Sequence, residues 1–160
     1  LEWKRRIDPD HYLDPAKRVL LKADAVWEIE RGLQLKATDV YEASVVRSEW
    51  YRTVCRVFER CDCLVIPSAQ VFPFDVNLDW ADRVGGRVMD TYHRWMEVVV
   101  GATILGLPVV GMPAGFGTAG LPAGIQMIGP PRSDLSLLKI AHVYESVSQD
   151  LRSPMVRPQH

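Results

Sequence analysis

Apolar residues recur along this chain first at helical spacing and then at strand spacing. Val19, Leu20, Ala23, Val26 and Trp27 share one face of a 3.6-residue period, behind Asp14 and Pro15, which stand where an N-cap and a first helical residue belong. Gly32 supplies a stop. A second stripe, Tyr51, Val54, Val57, Phe58 and Cys61, predicts a helix opening at Thr38 or Asp39, with Glu42 three residues after the aspartate as in a capping box. It runs into Leu64-Val65-Ile66, a short strand ended by Pro67.

Periodicity is lost from Ser68 to Gly86, where Pro73, Asn77 and Gly85-Gly86 interrupt scattered aromatics, and this predicts a long loop. A helix-compatible pattern returns from Arg87 to Leu105, with Tyr92, Trp95, Val99 and Ala102 on one side and Gly101 as a point of weakness. Val109-Val110-Gly111-Met112 and Ile125-Gln126-Met127-Ile128 read as strands buried on both faces. The glycines at 115, 117 and 120 between them predict a hairpin-like return. Ser133 or Asp134 opens a last helix with Leu137, Ala141 and Tyr144 on one face, and residues 152–160 read as a frayed tail. The order is that of an α/β fold with too few strands to close both edges of its sheet.

The loop at 115–120 also spells G-x-G-x-x-G. Dinucleotide binding needs a helix to begin at the third glycine and an acidic residue ~20 positions on. Here Leu121-Pro122 leads into a strand and Asp134 comes too early, so the motif reads as a turn.

The 160 residues suit one soluble domain, and 19 basic against 20 acidic side chains give a net charge of −1. That balance favours neither direct nucleic-acid binding nor a membrane surface. No apolar run reaches the ~18 residues of a membrane span, and the opening LEWKRRIDPD lacks the apolar core of a signal peptide, so a cytoplasmic location is expected. Cys55, Cys61 and Cys63 are odd in number and without zinc-site spacing, which predicts reduced, partly buried thiols. His11, His93, His142 and His160 are too scattered for a metal site, and Asp79 and Asp82 read as solvated loop carboxylates. No metal or other cofactor is expected.

Three segments carry a family pattern: Cys61-Asp62-Cys63-Leu64-Val65-Ile66-Pro67-Ser68-Ala69, Thr91-Tyr92-His93-Arg94-Trp95-Met96-Glu97 leading into Thr103-Ile104-Leu105-Gly106-Leu107-Pro108, and residues 106–130. In order and spacing they resemble the C-terminal part of the amidase signature family over residues 35–148. The resemblance implies part of an α/β/α sandwich around a mixed sheet, in serine hydrolases that cleave carboxamides. It also implies a serine nucleophile, a second serine on a cis peptide bond, a lysine acting through it as base, and glycine-rich backbone amides holding the oxyanion.

The family's Gly-Gly-Ser-Ser-Gly-Gly-Ser type motif and upstream lysine have no counterpart here. No serine of this chain sits in a G-x-S-x-G elbow, and Lys4, Lys17, Lys22, Lys36 and Lys139 lie in polar or amphipathic settings that predict solvation. No catalytic residue is therefore assigned within the chain. The expectation is the C-terminal portion of a single amidase domain, residues 1–160, inactive alone, partnered by the N-terminal part of the same enzyme. Its open sheet and exposed apolar faces predict self-association unless that part covers them.

By resemblance, Ser68, Phe72, Trp95, Met96, Val99 and Thr103 lie near the pocket for a small-molecule amide, with core packing or loop anchoring as the competing reading of each. Glutamine-dependent transamidase subunits tend to carry an Asn-Asp pair where this chain has Trp95-Met96. An apolar pair suits an apolar amide better than glutamine. A stand-alone amidase for a small or aryl-bearing amide is thus the first reading. The glutamine-hydrolysing subunit of a transfer-RNA-dependent amidotransferase is the second, and a non-catalytic binding module the third.

Overall fold

A computed structural model describes residues 9–151; the expected tail, the first eight residues, Lys4, Ser153 and His160 lie outside them. The chain divides into two compact units at Val46 and Arg47, each described by itself.

The first unit is helical: α1 (Pro9–Leu13), α2 (Pro15–Arg18), α3 (Ala23–Gln34) and the opening of α4 (Ala37–Phe58). The Asp14 carboxylate accepts the Ala16 N–H at 2.9 Å with Pro15 at the first helical position, as expected. The predicted continuous helix is nevertheless broken. Leu20 and Leu21 donate to Lys17 and Arg18, three residues back, so the turn tightens, and Lys22 is extended before α3 restarts. Gly32 lies inside α3, which ends at an extended Leu35. Arg18 joins the pieces: its guanidinium pairs with Glu30 and lies over the Tyr12 ring at 4.5 Å. At the head of α4, the Asp39 carboxylate reaches back to the Lys36 N–H at 2.8 Å.

In the second unit, β1 (Leu64–Pro67), β4 (Val109–Phe116) and β5 (Pro122–Ile128) form an antiparallel sheet in the order β1-β5-β4. Leu64 and Val109 both stand opposite Ile128, which places β5 at the centre. Alternation along β5 then sorts the core. Ile128, with Leu64 and Ile66, packs against Val54 and Phe58 of α4 and against Ala102 and Leu107. Met127, with Val110, Met112 and Ile125, packs on the other face against Leu137, Ala141 and Tyr144 of α7 (Asp134–Val147). Helices on both faces make the expected α/β/α layering.

The other side of α7 stays exposed at Leu135, Leu138, Val143 and Val147. Edge strand β4 also exposes Val109 and Phe116, so burial on both faces holds for β5, where Gln126, Met127 and Ile128 are all buried, and less for β4. The hairpin closes as predicted. Gly117 donates to Leu121 O at 2.8 Å and Gly120 to Gly117 O at 2.9 Å, and β5 follows the G-x-G-x-x-G segment instead of a helix.

Two expectations are corrected between β1 and β4. The end of the presumed loop is a hairpin of β2 (Arg83–Val84) and β3 (Arg87–Val88). Its turn residues Gly85 and Gly86 have φ of 55° and 81°, the two positive values of a type I′ turn. Strands this short carry no readable period, but the Gly-Gly pair was a signal. The presumed single helix from Arg87 is likewise two, α5 (Tyr92–Trp95) and α6 (Glu97–Thr103). The break falls at Met96 (φ −98°, ψ 5°), while Gly101 stays helical with its carbonyl taken by Trp50 Nε1 at 3.1 Å. Gly106, at φ 64°, ends α6, and the Leu107 N–H returns to Ala102 O as in a Schellman turn.

Candidate functional site

The exit of β1 is where the predicted site residues begin to converge. Ser68 extends the β1-β5 ladder by donating its N–H to Gly124 O at 3.0 Å. A Cβ built on Gly124 would lie 2.5 Å from Ser68 Oγ, so the absence of a side chain on β5 is what seats the hydroxyl there. Gln126, two residues along the same strand, is buried. Its Nε2 donates to Pro67 O at 2.9 Å and to Val98 O at 3.2 Å, tying α6 to the end of β1.

Beyond Ser68 the chain folds onto α5 and the hairpin tip. Gln70 Nε2 donates to Arg94 O at 3.0 Å and also to Trp95 O. Phe72 covers Gly117, where an added Cβ would sit 2.8 Å from its ring, yet Phe72 keeps 49% of its surface exposed. Phe74 meets Trp95 edge to face with centroids 5.6 Å apart, and Tyr92 meets Trp95 at 6.2 Å and Trp80 at 6.1 Å. Within this aromatic group, Trp95 Nε1 is buried with no hydrogen-bond acceptor among the described residues. Few buried donors go unpaired, and each unpaired one costs about 1–3 kcal/mol.

Ser68, Phe72 and Trp95 are thus gathered on one loop, strand and helix junction, with Met96 at the α5-α6 joint and Val99 donating its N–H to Met96 O. Thr103 is not brought to them. It ends α6, seven residues and roughly 10 Å of helix beyond Met96, and its hydroxyl is spent on Val99 O at 2.9 Å. Gln70, Phe74, Tyr92, Gly117, Gly124 and Gln126 were missed as site residues. Only Gln126 carried a signal, being the one polar residue in the apolar run Ile125 to Ile128.

Charges flank this group without entering it. Arg94 Nε bonds Asp90 Oδ1 at 2.9 Å, which holds the Asp90 carboxyl below its usual range, and Arg94 also faces Glu97 at 3.8 Å. The Cys63 thiol is pushed up by burial first and then by Cys61 and Asp62, so it stays protonated, and all three cysteines are free thiols. Among the described residues no cluster of His, Cys, Asp or Glu could hold a metal ion, and no helix is long and apolar enough to cross a membrane. The group offers an aromatic wall, a hydroxyl and an unspent indole N–H. That suits holding a ligand, and supplies neither an activated nucleophile nor a base to it.

The sequence profile of the family described as Amidase matches residues 10–138. A chloroplastic/mitochondrial subunit of glutamyl-tRNA(Gln) amidotransferase from Oryza sativa subsp. indica is 34% identical over 127 residues, covering 74% of this chain and 22% of that protein. Fatty acid amide hydrolase of Medicago truncatula is 28% identical over 141 residues, covering 88% and 23%. A bacterial aryl acylamidase of the amidase signature family superposes with a TM-score of 0.76 at 22% identity, over 92% of this chain and 31% of that one. The chain therefore spans less than a quarter of the length of these two curated relatives.

Proposed function

Because this chain belongs to the amidase family, we propose that it supplies the central sheet and one wall of the substrate pocket in an enzyme that hydrolyses a small or aryl-bearing carboxamide. The observation that carries this reading is the aromatic group around Trp95. The buried N–H of that residue has no acceptor among the described residues, and Gln70, two residues after Ser68, donates to the Trp95 carbonyl. In the proposed reaction, a serine outside these 160 residues is acylated, with a second serine and a lysine relaying its proton. Amine or ammonia leaves, and water releases the carboxylate.

The proposal is tested by producing this chain joined to the remainder of its parent polypeptide and assaying release of acid from aryl amides. Hydrolysis by the joined protein and none by this chain alone is expected. No hydrolysis of any simple amide by the joined protein would overturn this reading and leave the amidotransferase subunit and the binding module.

A second reading, the glutamine-hydrolysing subunit of an amidotransferase, is favoured by the identity to the Oryza sativa protein. Against it stands the apolar Trp95-Met96 pair. Ammonia release from glutamine that depended on a partner subunit would decide for this second reading.

A further inference from the structure

A cleft of about 340 Å³ lies between the second half of α4 and the turn after α6, and Trp95 is not among the residues that line it. Arg47, Ser48, Tyr51 and Arg52 line one side and Ile104 and Leu105 the other. The four α4 positions are spaced i, i+1, i+4 and i+5, which puts them on one helix face. Glu49 falls roughly 200° around the helix from Arg47 but only about 60° from Arg52, so it borders the Arg52 side of this face, and no ion pair joins the two among the described residues. Among the described residues, neither Arg47 nor Arg52 has an ion-pair or hydrogen-bond partner through its guanidinium.

A third arginine, outside the residues that line the cleft, holds a costly backbone conformation. Arg132 has φ 62°, the only non-glycine residue with positive φ among the described residues. That left-handed conformation would suit glycine or asparagine better. Its charge is felt at the Tyr51 hydroxyl, where it opposes the upward push of burial and of Cys55.

We propose that this cleft binds a carboxylate carrying an apolar group. The space has room for roughly ten waters at ~30 Å³ each, more than a lone oxyanion fills. Guanidinium forks match a planar carboxylate through two parallel hydrogen bonds. α4 opens at Ala37, so backbone amides near Arg47 are already used within the helix and offer no phosphate cradle. Ile104, 43% exposed, and Leu105 form an apolar floor for the remainder of the ligand. The site stands apart from the amide-cleaving reading and does not depend on it.

Backbone amide shifts of the 160-residue chain, followed during titration with phenylacetate, test the proposal. Phenylacetamide serves as the neutral isostere and inorganic phosphate as the bare anion. Saturable shifts at Ser48, Arg52 and Leu105 are expected with phenylacetate, at least about tenfold weaker with either comparator. Arg52→Gln and Arg47→Gln should each weaken phenylacetate binding about tenfold, without loss of thermal stability because neither guanidinium has a partner among the described residues. Absence of saturable shifts, equal binding of the amide, tighter binding of phosphate, or an affinity unmoved by both substitutions would each overturn it.

Discussion

Gln126 Nε2 lies 2.9 Å from the carbonyl oxygen of Pro67, so the central strand holds the point where β1 gives way to the candidate site. Through its second bond, at 3.2 Å to Val98 O, the same amide fixes α6 against the sheet. A buried polar side chain on a central strand is tolerated because its amide donates to two carbonyls.

Replacing that amide should therefore cost both anchors. Gln126→Leu leaves both carbonyls without this donor and is expected to destabilise the chain by about 1–3 kcal/mol. Urea unfolding monitored by circular dichroism reads the loss, and a midpoint equal to that of the unaltered chain would contradict the assigned role.

Gly124 and Ser68 should behave as a coupled pair. Gly124→Ala places a methyl group 2.5 Å from Ser68 Oγ and 3.4 Å from Met112 O, so the hydroxyl must move. A loss of about 1–3 kcal/mol is expected, partly recovered in Gly124→Ala/Ser68→Ala. A double-mutant cycle measures the recovery, and strict additivity would show that the two residues are not in contact.

Trp95→Phe separates stability from ligand binding. Removing a buried N–H without an acceptor should leave stability unchanged or raise it by up to about 1 kcal/mol. In the joined enzyme it should raise KM for an aryl amide more than it lowers kcat. A stability loss of several kcal/mol with KM unchanged would mean the indole serves packing alone.

Asp90 sets a pH dependence whose sign is fixed by its pairing. Its folded-state pKa is held down by the hydrogen bond from Arg94, so its contribution is present above the unfolded carboxylate value of ~3.9 and is lost as pH falls through the lower folded value. The melting-temperature difference between the unaltered chain and Asp90→Asn should thus be positive at neutral pH and vanish in strong acid. Because the pair is exposed, added salt should shrink it. A difference that grows on acidification would reverse the assignment.

Most of the elements were legible where a local period or cap had several residues to express itself. Asp14 before Pro15, the Leu137-Ala141-Tyr144 face of α7, and the two Gly/Pro-bounded strands with their return all fall where local pattern placed them. The α5-α6 break at Met96 and the two-residue strands β2 and β3 did not, since neither spans a full period.

The sequence by itself determined the α/β order of elements, the family and the lack of a catalytic motif in these 160 residues, because alternation, caps and motifs are short-range and survive without a partner in space. Only the tertiary structure decided what meets the loop after Pro67. Gln126 and Pro67 are 59 residues apart, and Gln70 and Trp95 are 25 apart. Those pairings depend on strand register, which sets which of two neighbouring residues faces α6 and which faces α7. Register is a property of the assembled sheet, so Gln126 remained one polar letter in an apolar run until β5 lay between β1 and β4.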